Sequence, residues 1–477
     1  MRQPKGAKMH TIAGVIVAAV LLSTEGGTNA PRADAFFASA SSSDYQSSAD
    51  QHAPIDITAL LTQARGAPPM ICSLASHAVA GYGWGSWSRG PISPLDDVMN
   101  GDSDNEDFNL QRGSLPAADV NRLLEALSTN DPCVREISVQ VLGRQRGDLV
   151  IDGFLTRLSA ADPGLREVAA LGLGLVPSPK SVDPLIHALR DATPGVRANS
   201  AWALGRLESG RALSSIQNLF RDDADKVREA AVIAAGKMDS TSSVAALIRV
   251  VRQDNSPAVR RAAAWALGQL ESRESADALT GALTQDSDAR VREMAAWALG
   301  QLEARSASAA LANAARRDAD DRVRETAVWA LAQIEDRASV DALGNIAATD
   351  KSSRVRGTAA WAIGQLRGGG KAPAGLVQVL NDESEDARLK AAWALGQIGD
   401  STTIPAIRDA LKREQGTEVR RALIRALMRS GERSEAALTQ LLESGDPQIR
   451  EAAVRGLAGR NSFNPWPWPW PRPRPIP

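Results

Sequence analysis

Side chains suited to metal or nucleophilic chemistry are scarce in this chain. It has four histidines, two cysteines and two tyrosines among 477 residues. Only His187 and Cys133 fall in the repeated region described below, too little material for a metal centre or a nucleophile with its base. Neither sign of charge is in excess: 55 Lys and Arg face 56 Asp and Glu, for a net charge of −1. That balance argues against a nucleic-acid partner, which needs a surplus of cations on one face. It argues equally against a disordered acidic chain. No uncharged apolar run approaches the roughly 20 residues that span a bilayer. Aromatic residues are only 4% of the chain, yet eleven are Trp, against six Phe and two Tyr. With 43% hydrophobic and 23% charged residues, the remainder is that of a soluble globular protein. The placement of tryptophan is the anomaly.

The first 35 residues have the architecture of a secretory signal. Arg2, Lys5 and Lys8 precede an apolar run, Ile12 to Leu22, and Ala33-Asp34-Ala35 offers a small-residue cleavage site before Phe36. A second site after Ala30 is obstructed by Pro31. The expectation is export, to a periplasm or out of the cell. The long spacing from run to site leaves an uncleaved anchor as the alternative. Residues 36–54 read as a Ser-rich linker and residues 55–115 as an N-terminal helical cap, with helices over Ile55–Arg65 and Pro69–Ala80. Gly81 to Gly90, with Trp84 and Trp87, lacks the Gly-Lys-Ser/Thr ending of a phosphate loop and reads as a turn-rich loop. Asp102 to Asp107 lacks the Gly and final Glu of a calcium loop and reads as a solvated acidic loop. In an oxidising compartment Cys72 and Cys133 either form a disulfide clamping this cap to the first repeat or stay as two buried thiols.

An aliphatic-Arg dipeptide then recurs, from Val134-Arg135 to Ile449-Arg450, with the arginines 30 to 32 residues apart. A fixed period of this size means a repeat array, here of about eleven units over residues 116–460. In the unit from Arg273 to Glu303, Ala276, Leu279 and Leu283 mark one face of a first helix. After a polar turn, Val291, Ala295, Ala298, Leu299 and Leu302 mark the second. Asp131, Asp162, Thr193, Ser256 and Asp446 each stand before Pro, an oxygen-bearing N-cap followed by proline at the first helical position. Neither helix buries its stripe alone, so the pairs must stack into an all-α, two-layer solenoid. Glycine recurs eight residues after the Arg (Gly143, Gly174, Gly205, Gly236, Gly268, Gly300, Gly364, Gly396). A mid-helix Gly costs about 1 kcal/mol relative to Ala, so its recurrence points to close helix approach. The repeated Arg is expected to be structural, pairing across repeats with turn residues such as Asp131, Asp162, Asp288 and Asp320.

The segment Asp288-Ala-Arg-Val-Arg-Glu-Met-Ala-Ala-Trp-Ala-Leu-Gly-Gln-Leu302 resembles the HEAT-like repeats named after phycobilisome bilin lyases. The resemblance implies a fold and little function, because the family mixes scaffolds with a few enzymes. Its deoxyhypusine-hydroxylase-like branch implies a di-iron site built from His-Glu pairs, and this chain has no His-Glu dipeptide. The bilin-lyase branch sits poorly with an export signal. Residues 69–90 resemble the exported extensions of antirepressor-type membrane metallopeptidases, but the H-E-x-x-H motif is absent, so no peptidase activity carries over.

Five residues after the repeat Arg stand Trp202, Trp265, Trp297, Trp329, Trp361 and Trp393. Four further on come Gln269, Gln301, Gln333, Gln365 and Gln397, with Arg144, Arg206, Lys237 and Arg429 toward the ends. At 100° per residue, Trp297 falls about 145° from the apolar stripe of its helix, which predicts an exposed row. HEAT-like solenoids line their concave surface with second helices, so the resemblance places the row in a groove. Armadillo-repeat proteins carry a similar Trp-x-x-x-Asn ladder whose amides hold an extended peptide. One turn of a polyproline II strand, about 9 Å, matches the roughly 8–10 Å between adjacent helices. The competing expectation is that the indoles lie flat between neighbouring second helices and stiffen the array, and Gln140, Leu171 and Ile233 show that the fold does not demand Trp.

The tail from residue 461, with Trp466, Trp468 and Trp470 alternating with Pro, excludes helix and central strand. It reads as a disordered polyproline tail, or as a ligand for the chain's own groove, or as a membrane-interface anchor. The combined expectation is a non-enzymatic scaffold without cofactor or metal, binding a protein or extended peptide through the Trp/Gln row and Arg206. The alternatives are a HEAT-like lyase or oxidoreductase, and a groove whose indoles stack on carbohydrate.

Overall fold

The computed structural model describes residues 56–68, 72, 115–238, 240–366 and 370–431, and residues 442, 447, 450 and 454 singly. The signal segment, the Ser-rich linker, the Gly/Trp and acidic loops, most of the second cap helix, most of the eleventh repeat and the tail lie outside them. The described chain divides into two compact units between Ala212 and Leu213. Among the described residues the regular structure is helical throughout, with short 3-10 turns leading into many of the first helices.

In the first unit a cap helix, α1 (Ile57–Ala64), is followed by three helix pairs. These are α2 (Ala117–Ala126) with α3 (Pro132–Leu142), α4 (Asp148–Leu158) with α5 (Pro163–Leu175), and α6 (Val182–Ala188) with α7 (Pro194–Arg206). Among its described residues the second unit holds seven pairs. They begin with α8 (Leu213–Asn218) and α9 (Asp225–Lys237), α10 (Val244–Gln253) and α11 (Pro257–Gln269), and α12 (Ala276–Gln285) and α13 (Ala289–Gln301). Then come α14 (Ser308–Arg317) and α15 (Asp321–Gln333), α16 (Val340–Thr349) and α17 (Ser353–Leu366), α18 (Ala374–Gln378) and α19 (Glu385–Ile398), and α20 (Ile404–Arg413) and α21 (Thr417–Arg429). Within each unit, each second helix packs on its own first helix and on the second helix of the neighbouring repeat, as α13 does on α12, α11 and α15. The stripe Val291, Ala295, Ala298, Leu299 and Leu302 is fully or almost fully buried, as its period predicts. Within each unit the architecture is therefore an α-solenoid.

The helix starts follow the sequence with one qualification. Asp131 accepts from the backbone N–H groups of Cys133 and Val134, and Asp162 from that of Gly164. Thr193 and Ser256 occupy the same N-cap position without a side-chain bond to the helix.

The repeated arginine forms the expected inter-repeat ladder, but with a different acid. Arg292 donates from Nε and Nη2 to the two carboxylate oxygens of Asp318 at 2.8 and 2.9 Å, and from Nη1 to the carbonyls of Asp286 and Ser287. Within the second unit the same bidentate pair recurs as Arg228–Asp254, Arg260–Asp286, Arg324–Asp350, Arg356–Asp382 and Arg388–Glu414, and in the first as Arg166–Asp191. Asp288 and Asp320, two residues later in their turns, cap helices instead, accepting from the N–H groups of Arg290 and Arg322. The turn offers two acids. The one next to the first helical turn is taken by free N–H groups, and the earlier one is left facing the guanidinium of the preceding repeat.

At the start of the first unit, Cys72 is joined to Cys133 in α3, with the Cα atoms 5.4 Å apart. Asp131 reinforces the clamp by accepting from Gly66 N–H at 2.7 Å as well as capping α3. The cap helix α1 packs on both α2 and α3, burying Ile57, Leu60 and Ala64 over the open edge of the first repeat.

Candidate functional site

The exposed row of indoles does not exist. Trp265, Trp297, Trp329 and Trp361 in the second unit are 2 to 6% exposed, as is Trp202 in the first, and only Trp393 is half-buried. The angle read from the wheel is sound, but it measures distance from the first-helix layer alone. The flank it assigns to the indoles is covered by the preceding second helix. Trp329 lies over Gly300 of α13, so that a Cβ added there would stand 2.7 Å from Cζ3 of the indole. Trp297 over Gly268, Trp265 over Gly236, Trp393 over Gly364 and, in the first unit, Trp202 over Gly174 repeat the contact. The recurrent glycine and the recurrent tryptophan are thus two halves of one interlock between neighbouring repeats. Ala332 is the one departure, and Trp361 in the following repeat is buried all the same. Where Arg425 replaces Trp, the room over Gly396 opens and the nearest atom to an added Cβ is Ala426 Cα at 3.3 Å.

What the second helices do present is the row one turn further on. Gln269 and Gln301 are exposed, and Gln333, Gln365 and Gln397 are half-buried, all at one register of five successive second helices. Lys237 and Arg429 occupy that register at the two ends of the second unit, and both are exposed. In the first unit the register holds Arg206, whose guanidinium lies over the Trp202 ring, 5.3 Å from its centroid, in a cation–π contact.

The turn on the other side of the indoles, one residue after the repeat arginine, carries charges that lie outside the Trp and Gln pattern. Glu229, Arg261 and Glu293 succeed one another there and are only 1, 8 and 4% exposed. Burial pushes the Glu293 carboxyl up to about 7, with Asp320 and Glu325 adding to the rise and Arg322 and Arg261 opposing it. Glu325 at the next position is tied to the following repeat, accepting from Arg354 at 2.7 Å and from the Thr358 hydroxyl at 3.2 Å. The signal in the sequence was an acid or base four residues before Trp265, Trp297 and Trp329, on the same helical face. The arrangement holds no nucleophile beside a base. Its chemistry is that of amide hydrogen bonding, bordered by cations, over an apolar floor already filled from within.

HEAT repeats match residues 151–235, 216–300, 308–374 and 372–458. No curated protein matches the chain significantly. Among solved structures, Kap95p in a structure concerning RanGDP superposes with a TM-score of 0.52 at 15% identity, covering 84% of this chain and 63% of that one. Importin beta gives 0.51 at 13% identity, covering 81% and 64%. An engineered protein is 22% identical over 66% of this chain and 99% of its own, with a TM-score of 0.42. The chain spans just under two thirds of Kap95p and importin beta, and at these identities the likeness is one of fold. The repeat matches cover well over half of the sequence and coincide with the helix pairs and the arginine ladder: the chain belongs to the HEAT-repeat family.

Proposed function

We propose that this protein is an exported, non-enzymatic scaffold that holds an extended polypeptide segment along the glutamine row of its second helices. The observation that carries the reading is the register of Gln269, Gln301, Gln333, Gln365 and Gln397, one amide per repeat with its side chain at least partly open to solvent. Each amide offers both a donor and an acceptor, which is what a peptide backbone requires. Their spacing of one helix, about 8–10 Å, suits one contact for every three residues of a polyproline II strand, about 9 Å. The indoles act beneath the row, holding neighbouring helices at fixed distance, so sugar stacking on exposed indole faces has no support. HEAT-repeat proteins similar in fold, such as Kap95p, which binds RanGDP, make a protein partner the natural class. Export is supported by the signal-like N-terminus and by a disulfide, a bond kept in oxidising compartments. Mass spectrometry of the mature N-terminus should find Phe36 first.

The test is a peptide array probed with the full chain, followed by a Gln301→Ala/Gln333→Ala variant. Two lost amide bonds, each about 0.5–1.5 kcal/mol, predict roughly five- to a hundredfold weaker binding of the selected peptides, with an unchanged melting curve. Unaltered affinity would remove the row from the binding surface.

A further inference from the structure

The last described second helix breaks the pattern of the others. In α21 the three successive turns that in α11, α13 and α15 carry an acid or base, an indole and an amide carry Arg421, Arg425 and Arg429. Residues four apart share one helical face, so the three guanidiniums form a single stripe. Arg429 is exposed, while Arg421 and Arg425 are half-buried. Arg429 is also the next member of the amide register after Gln397. The stripe is not a requirement of the repeat, since a Trp and a Gln fill its last two positions in the preceding repeat. It also sets like charges side by side: burial lowers the Arg425 pKa, Glu418 raises it and Arg421 lowers it again.

We infer that the extended segment held by the glutamine row ends in a cluster of carboxylates, and that Arg421, Arg425 and Arg429 receive them. This inference rests on the amide-row reading. A segment laid along Gln301, Gln333, Gln365 and Gln397 runs directly onto Arg429, where backbone amide contacts give way to cations. Side-chain carboxylates suit the patch better than a phosphate backbone does. Glu418, which pairs with Arg421 at 2.7 Å, borders the stripe. An unbroken line of phosphates would be driven against that acid. Separate carboxylates at one end of a peptide reach Arg425 and Arg429 without meeting it.

Two labelled 16-residue Gly/Ser/Pro peptides, one neutral and one ending in four glutamates, are titrated with the full chain by fluorescence anisotropy. Charge pairs at Arg429 and its two half-buried neighbours predict about tenfold tighter binding of the acidic peptide at low ionic strength, with the advantage lost in 0.5 M salt. Arg429→Glu should abolish the advantage, Arg429→Lys should keep most of it, and Gln301→Ala/Gln333→Ala should weaken both peptides alike. Matching thermal melts establish that the variants fold. If the peptides bind equally, the acidic end is wrong and the amide row stands. If only the acidic peptide binds and the glutamine variant is silent, the arginine stripe stands and the amide row falls. A single-stranded oligothymidylate that displaces the acidic peptide, and binds more tightly through Arg429, would overturn the polypeptide as occupant.

Discussion

The residue that sets this molecule apart is tryptophan packed on glycine. An indole with its outer ring against a bare backbone excludes water from the seam between two second helices, and at five of the six tryptophans no Cβ stands below. At Gly300 an added methyl meets Trp329 at 2.7 Å and the Ala330 backbone at 3.1 Å, so Gly300→Ala should destabilise by about 1–3 kcal/mol. Gly281, in the middle of α12, has nothing within 4 Å of an added Cβ, and Gly281→Ala should stabilise by about 0.5–1 kcal/mol. Urea midpoints of the two variants should move in opposite directions, and a common direction would refute the interlock. Glu293 makes a second prediction at this scale. Its folded pKa of about 7 lies above the ordinary 4.5. Stability is therefore greatest below pH 4.5 for this group and falls as pH rises through 7, by about 3 kcal/mol in order of magnitude. Glu293→Gln should flatten the pH dependence of the melting temperature between 4.5 and 7 and raise that temperature above pH 7.

At the scale of the element, each second helix is held to the next repeat by one guanidinium with two tasks. Arg292 binds both oxygens of Asp318 and two carbonyls of its own preceding turn, which a lysine does not reproduce. Arg292→Ala should cost about 2–4 kcal/mol in chemical denaturation, since Asp318 is left without that cation, and Arg292→Lys a smaller part of it, since the charge stays and the fork of hydrogen bonds is lost. Burial pushes the Asp318 carboxyl up, but Arg292, the N–H of Asp320 and the neighbouring arginines outweigh it and hold it below its ordinary 3.8. Its ionised form stabilises the fold at neutral pH, and that contribution is lost as pH falls through the folded value, below 3.8. An acid titration followed by circular dichroism should unfold the variant at higher pH than the parent. The repeat arginine and its ladder were legible in the sequence from spacing alone. The partner was not, because the turn Asp286-Ser287-Asp288 contains two acids and only the backbone decides which becomes the cap.

At the scale of the whole chain, an array of stacked pairs exposes apolar edges at its ends, and α1 closes the first of them. The Cys72–Cys133 bond spans 61 residues of sequence, and by the loop-entropy account it contributes about 4 kcal/mol to holding the cap in place. Reduction, or Cys133→Ser, should raise hydrogen exchange in α1, α2 and α3 while leaving α11 to α19 unchanged, since each repeat touches only its neighbours. A chain that exchanges uniformly faster would contradict a local clamp.

The sequence by itself determined the period, the two helices of each repeat, the stripe that each buries toward its partner layer and the arginine that joins one repeat to the next. All of these follow from local spacing, and a wheel drawn around one helix contains them. The tertiary structure alone decided what the wheel's remaining flank meets. A neighbouring helix laid alongside at the distance that glycine permits turns six tryptophans from an expected binding surface into a seam, and leaves the glutamines and arginines one turn away as the face that a partner can touch. The reason is that burial belongs to pairs of elements, whereas periodicity describes one element at a time.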